Sequence, residues 1–289
     1  MFGYLKKYSL PLFTLLLATS VIFIFYLDFR SSERMLTVAM LDIGQGDAIF
    51  IESPTGVQVL IDAGPPRKIL GELSRMMPFF DRSLDAFIAT HPDQDHTGGF
   101  GDVLKDYKVG LFLESGGISD SKVYQNLKGE IKNKNIPSVL ARRGMLLHLG
   151  GGAVIEIIFP DRDVSLWETN DGSIVARLVY GETTVLLTGD SSLESEKVIL
   201  ANSSVPALRS DVLKVGHHGS RTSSSYNLVK TVLPKYALIS SGKDNSYGHP
   251  HQEVLELLDS FGVEILRTDR LGTIIMKSDG VQETFSFRK

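Results

Sequence analysis

Beyond residue 35, short apolar runs of strand length are interleaved with segments of helical spacing. Leu36–Ile43, Ala48–Glu52 and Val57–Ile61 read as three short strands, the last two joined by a turn at Ser53-Pro54-Thr55-Gly56. Ile69–Met77 has helical spacing and stops at Pro78, and Asp85–Ala89 is an apolar strand. Helix 100–106, strand 109–113, helix 122–134 and strand 138–141 follow. Two hairpins come next, 145–149 with 154–159 across three glycines and 173–180 with 184–188 across Gly181-Glu182. The remaining pattern predicts helices 193–200, 224–233 and 252–261 and strands 212–215, 236–240, 263–266, 273–277 and 282–287. Strand-rich stretches open both the first half (35–61) and the second (145–188), and each runs into strand–helix alternation. That order predicts an α/β protein of two similar halves, an αββα sandwich whose ligand-bearing loops meet along one edge.

One segment departs from this pattern. Leu10 to Leu27 carries no charge over 18 residues, about the minimum for crossing a hydrocarbon core of roughly 30 Å. Lys6 and Lys7 precede it, which predicts a cytoplasmic N-terminus with the rest outside. Arg30 and Arg34 weaken that asymmetry, and Asp28 and Glu33 offset part of their charge. The rival readings are a cleaved signal peptide and a buried soluble helix. Tyr26-Leu27-Asp28-Phe29-Arg30 is a poor cleavage context, and Ala18-Thr19-Ser20 lies inside the apolar run. The expected organisation is therefore a membrane anchor and short linker over 1–34, then one domain over 35–289. The predicted location is the cell membrane, single-pass, with that domain extracytoplasmic.

Composition narrows the function. At 289 residues and 43% hydrophobic content the chain can bury a substantial core. Cysteine is absent, which removes disulfides and Cys-ligated zinc. With 34 acidic and 30 basic residues the net charge is −4, which argues against a broad basic face for gripping duplex DNA.

The chemistry concentrates in Thr90-His91-Pro92-Asp93-Gln94-Asp95-His96-Thr97-Gly98-Gly99. Two imidazoles and two carboxylates within six residues suit Zn²⁺ or Mn²⁺, which accept nitrogen and oxygen together. Ligands this crowded usually serve two ions, the known device for activating water against a phosphodiester. Other candidates follow strand ends. Asp190, after Leu187-Thr188-Gly189, is placed to bridge two ions with one oxygen to each; alone, such an Asp is more often a turn or an N-cap. His217 and His218 end another strand, and adjacent strand side chains point to opposite faces, so one suffices as a ligand. His249 sits between Gly248 and Pro250 in a turn ahead of a helix; His251 is expected exposed in that helix's first turn. Asp62 ends a strand where its carboxylate could hold a ligand histidine in place. His148 reads as a half-buried strand residue, and Trp167 as the cap of a core edge rather than a stacking platform.

Taken in order, several stretches resemble the metallo-β-lactamase superfold. They are 41–48, Leu60-Ile61-Asp62-Ala63-Gly64, the His91–Gly99 loop, Asn170-Asp171-Gly172-Ser173, Leu187-Thr188-Gly189-Asp190, Val215–Ser220 and Tyr247-Gly248-His249-Pro250. The resemblance is closer to one branch, the soluble domain of competence DNA-internalisation (ComEC-like) proteins and their stand-alone relatives. It implies two divalent ions, with His91 and Asp93 on one, Asp95 and His96 on the other, and Asp190 bridging. His217 and His249 are the further ligand or substrate-orienting candidates, and His217 is preferred over His218 as ligand. The superfold's commonest form has His where Asp93 stands, so this site is richer in oxygen, which favours Mn²⁺ over Zn²⁺. A middle histidine common elsewhere has no counterpart but His148, and the multi-span channel of the full competence proteins is missing.

The resemblance predicts a phosphodiesterase or nuclease that cleaves single-stranded DNA outside the membrane with a metal-activated hydroxide. Asp95 would accept the water's proton; His249, or the free one of His217 and His218, would serve the leaving or non-bridging oxygen. Two other readings stay open. One is a hydrolase of a cell-envelope phosphoester, which the acidic balance favours. The other is a non-catalytic DNA-uptake partner serving a separate channel protein.

Overall fold

A computed structural model of the chain describes residues 11–25 and 35–289. Residues 11–25 form helix α1, with its apolar side chains exposed. Among the described residues no helix is long and apolar enough to cross a membrane. The ends of the apolar run (Leu10, Tyr26 and Leu27) and the linker 26–34 lie outside the described residues.

From residue 36 onward the strand–helix alternation is realised. The first sheet contains β1 (Leu36–Met40), β2 (Ile49–Glu52), β3 (Gln58–Ile61), β4 (Ser83–Ala89), β5 (Lys108–Glu114) and β6 (Ser138–Leu140). The second contains β7 (Leu146–Gly150), β8 (Ala153–Phe159), β9 (Val175–Tyr180), β10 (Thr183–Leu187), β11 (Val212–Lys214), β12 (Tyr236–Ile239) and β13 (Glu264–Arg267). The expected division into halves fails at the C-terminus. β14 (Thr273–Ser278) and β15 (Glu283–Arg288) return to the first sheet, whose order is β15-β14-β1-β2-β3-β4-β5-β6. The reason is an open edge: β2 occupies one side of β1, and β14 completes the other, antiparallel, from Leu36↔Ser278 to Met40↔Ile274.

The two sheets pack face to face. Alternation along each strand divides its side chains between two cores. In β1, Leu36, Val38 and Met40 point into the inter-sheet core and Ala39 points outward; in β10, Val185 and Leu187 point inward and Leu186 outward. Both faces are buried, which is why these strands read as nearly continuous apolar runs. Helices α2 (Ile69–Met76), α4 (Phe100–Asp106) and α5 (Lys122–Asn133) cover the first sheet through Ile69, Leu73, Phe100, Val103, Leu127 and Ile131. The second sheet is covered by α6 (Leu193–Asn202), α7 (Val205–Leu208), α8 (Tyr226–Val232) and α9 (Gln252–Ser260). Two short helices, α3 (Gln94–Thr97) and α10 (Thr268–Leu271), fill loops. The result is an αββα sandwich.

Parallel pairing aligns the strand ends that matter. β3, β4 and β5 run parallel in one sheet, as do β10, β11, β12 and β13 in the other. The loops leaving these strands therefore collect at one edge.

Candidate metal centre

The edge is built by close backbone approach. The loop between β1 and β2 reaches the His91 loop, where Asp47 N donates to Asp95 O at 3.2 Å. Gly46 makes that approach possible: its φ is 121°, and a Cβ there would lie 2.1 Å from the Asp95 carbonyl oxygen. From the other sheet, Ser240 Oγ donates to Gly46 O at 2.6 Å. Asp62, after β3, takes a left-handed conformation (φ 55°) that turns its carboxylate back toward β4. There it accepts from Thr90 N at 2.8 Å and Thr90 Oγ1 at 2.6 Å.

Three imidazoles converge on one space, each held by its far nitrogen. His96 Nδ1 lies 2.7 Å from Asp62 Oδ2, His218 Nδ1 lies 3.1 Å from Ser240 O, and His91 Nδ1 lies 3.1 Å from Thr90 Oγ1. Thr90 Oγ1 gives its proton to Asp62, so it accepts from His91. These partners place a proton on Nδ1 in all three rings, so that each ring, once neutral, turns its Nε2 lone pair inward. All three Nε2 atoms are buried without a hydrogen-bond partner. Such atoms are costly to bury unpaired, and an acceptor fixed by an outer hydrogen bond is the usual arrangement around a metal.

Carboxylates complete the donor set. Asp190 Oδ2 lies 3.2 Å from His96 Nε2 and 3.3 Å from His218 Nε2, and Asp95 Oδ2 lies 3.4 Å from His218 Nε2. Donor atoms of His91, His96 and Asp190 fall within 4.8 Å of one another, as do those of Asp95, His96 and His218. Nitrogen and carboxylate oxygen without sulfur fit borderline divalent ions such as Zn²⁺ or Mn²⁺.

The opposing charges shift one another. Burial alone would raise the Asp190 carboxyl, but His218, His96 and Lys214 outweigh it and hold it well below the usual carboxylate range. Burial pulls His96 and His218 down, yet their carboxylate neighbours, Asp190 first, hold both well above the usual imidazole range. The Asp95 carboxyl is lowered against its burial, chiefly by His218 and His96. His249 moves the other way: burial and the neighbouring imidazoles push it down to about 4. His217 is lowered by burial.

The expected site residues fare unevenly. His91, His96, Asp95 and Asp190 come together. The preference for His217 over His218 is reversed by the geometry. His217 is partly exposed with its Nε2 3.8 Å from Asp190 Oδ2, whereas His218 is buried and closer. Neither residue is in a strand, since β11 ends at Lys214. Both lie in a one-turn 3-10 helix, 216–219, with left-handed backbones (φ 49° and 55°) that turn His218 inward. Asp93 stays at the rim, 38% exposed with Oδ2 3.6 Å from His91 Nε2, and accepts from Thr169 Oγ1 at 3.1 Å. Asp190 turns Oδ1 to Lys214 Nζ at 3.4 Å and Oδ2 to the imidazoles of His96 and His218. His249 lies beside the group, its ring 5.6 Å from that of His217 and 6.2 Å from that of His218. His148 is in β7 as expected but exposed, and Trp167 packs at 5.9 Å on Phe159 at a core edge.

Two residues of the centre carried no expectation. Asp47 and Lys214 are both buried and form an ion pair, and Lys214 Nζ also donates to Gly189 O at 2.6 Å. The available signal was a lone charge at the end of an apolar strand, Val212-Leu213-Lys214-Val215, and a carboxylate after Gly44-Gln45-Gly46.

Residues 41–243 match the model of the metallo-beta-lactamase superfamily. The chain is 34% identical over 267 residues to "ComE operon protein 3" of Bacillus subtilis (strain 168), covering 86% of this chain and 34% of that one. It is 29% identical over 256 residues to "Competence protein ComA" of Neisseria gonorrhoeae, covering 87% of this chain and 34% of the relative. The chain thus spans about a third of the length of these relatives. Among solved structures, CmlA, a diiron beta-hydroxylase from Streptomyces venezuelae, shares the fold, with a TM-score of 0.55 at 13% identity over 84% of this chain and 54% of that one.

Proposed function

The chain belongs to the metallo-beta-lactamase superfamily, and from that premise we propose that it is a metal-dependent phosphodiesterase or nuclease acting on single-stranded DNA. The observation that carries this reading is the set of three buried, unpartnered Nε2 atoms of His91, His96 and His218 beside Asp190 and Asp95. His96, His218, Asp95 and Asp190 Oδ2 would hold one divalent ion; His91, with Asp190 Oδ2 and Asp93 at the rim, would hold a second. Zn²⁺ or Mn²⁺ held by these residues would supply an acidified water and would neutralise charge on a phosphoryl oxygen.

The chain's own groups do the rest. Asp62, Ser240 and Thr90 keep each Nε2 aimed inward. Asp95 is partly exposed with Oδ2 3.4 Å from His218 Nε2, which places its carboxylate to take up the proton that an attacking water sheds. His249, neutral above a pKa of about 4, is a poor proton donor near neutrality. It serves instead as a hydrogen-bond donor to a non-bridging oxygen. His217, also lowered, faces solvent beside it.

DNA as substrate draws on the printed names of the relatives, "Competence protein ComA" and "Recombination protein 2" of Haemophilus influenzae. The chain spans only about a third of such relatives, and the partner this reading proposes is a DNA-uptake channel protein. The apolar run with Lys6 and Lys7 before it supports a single membrane anchor and an extracytoplasmic domain. The net charge of −4 supports a second reading, hydrolysis of a cell-envelope phosphoester.

The test is hydrolysis of bis(p-nitrophenyl) phosphate and of labelled single-stranded DNA by the full-length chain with Mn²⁺ or Zn²⁺, alongside Asp190→Ala. Cleavage of both that vanishes in the variant is expected. Activity on the small diester alone favours the envelope reading, and full activity in the variant refutes the metal centre.

A further inference from the structure

The proposed hydrolysis leaves Lys214 without a task. It ends β11 with no exposed surface, and burying an ammonium costs several kcal/mol unless its partners are well placed. Here they are: it is ion-paired with Asp47, 3.4 Å from Asp190 Oδ1, and donates to Gly189 O at 2.6 Å. Asp47 meets the imidazoles as well, with Oδ1 3.4 Å from His218 Nδ1. Donor atoms of Asp47, Asp190 and His218 lie within 4.8 Å of one another, close enough for a cation. The described residues therefore contain two further carboxylate–imidazole groups around Asp47, one with Asp62 and His96 and one with Asp190 and His218, the latter on the Lys214 side of Asp190. A fixed cation already sits against this second group.

We propose that the Lys214 ammonium is a built-in cation, occupying the place between Asp47 and Asp190 Oδ1 that a divalent ion would otherwise take. It neutralises the paired carboxylates at all times and holds Asp190 with Oδ2 alone toward His91, His96 and His218. Lys214 is a positioning residue, acting on the centre through Asp190. The inference rests on the reading of the centre as a divalent-metal site.

Removing the ammonium leaves two buried carboxylates with no countercharge, a demand that a divalent ion can satisfy. The test is ion stoichiometry of the full-length chain, by Mn²⁺ titration with free Mn²⁺ read by electron paramagnetic resonance and by elemental analysis after gel filtration. Lys214→Ala is expected to hold one divalent equivalent more than the wild type, and Asp47→Asn/Lys214→Ala to return to the wild-type number. An equal or smaller number in Lys214→Ala overturns the inference, as does a gain that persists without the Asp47 carboxylate. Lys214→Gln keeps a donor for Gly189 O and replaces Lys214→Ala should circular dichroism show that variant unfolded. A wild type that binds no divalent ion is a separate failure: it refutes the metal centre, and this inference with it.

Discussion

Asp62→Asn isolates one charge at the base of the centre. The residue has φ 55°, a conformation Asn tolerates nearly as well as Asp, so the change adds little backbone strain. An amide oxygen can still accept from Thr90 N, now at 2.8 Å. Its NH₂ then faces the Thr90 hydroxyl and His96 Nδ1, which stand 2.6 and 2.7 Å from Asp62 Oδ2. Donor meets donor. Either His96 keeps its Nδ1 proton unpaired, or it moves the proton to Nε2 and closes that nitrogen to a metal. The lost charge-assisted bond is worth about 1.5–3 kcal/mol, and an unsatisfied buried donor costs about 1–3 kcal/mol. The two overlap, so the metal-free protein should lose about 3 kcal/mol, read from urea unfolding. Metal affinity should fall about 10- to 100-fold, read by competition with a chromophoric chelator. A variant with unchanged urea midpoint and affinity would refute the reasoning, because His96 would then be oriented by something other than Asp62.

Other substitutions test other parts of the edge. Gly46→Ala places a Cβ 2.1 Å from the Asp95 carbonyl oxygen at φ 121°, so it should cost about 1–3 kcal/mol and displace Asp95; wild-type stability and metal affinity would count against this approach. His249 has a folded pKa of about 4 against 6.5 for the free side chain. The unfolded chain therefore binds more protons between those values, and stability is fully present above 6.5 and declines as pH falls toward 4. His249→Gln should flatten that part of the profile for the metal-free protein, measured as urea midpoints across the same range. Lys197 and Glu194, each 69% exposed, should matter little: Lys197→Ala is expected to shift stability by less than about 0.5 kcal/mol in thermal unfolding.

What the chain disclosed in advance follows from which forces are local. Strands such as β4, β8 and β14 were legible as short apolar runs bounded by turn residues, and helices α4, α5 and α9 because burial of one face imposes a period. The His91 loop was legible because its candidate ligands are neighbours in sequence. The errors have tertiary causes. α3 is built from the motif's own polar residues and has no apolar period. The 3-10 turn at His217 and His218 needs two consecutive left-handed histidines, which local preference disfavours; assuming a strand there assigned the wrong ring to the interior. Lys214 looks like an exposed interruption of an apolar strand unless Asp47, far away in the chain, is known to meet it. The return of β14 and β15 to the first sheet depends on which edge of β1 stays open, a matter of assembly rather than of pattern.

That last arrangement has a consequence for synthesis. Ribosomes deliver the N-terminal strands first, so β1 to β6 exist well before β14. Until residues 273–278 emerge, β1 has a partner on one side only, and its sequence, Leu36-Thr37-Val38-Ala39-Met40, is apolar. An unpaired apolar edge recruits whatever strand is near, including one from a second nascent chain. The edge of β1 thus stays open to such pairing until β14 has been made and closes it.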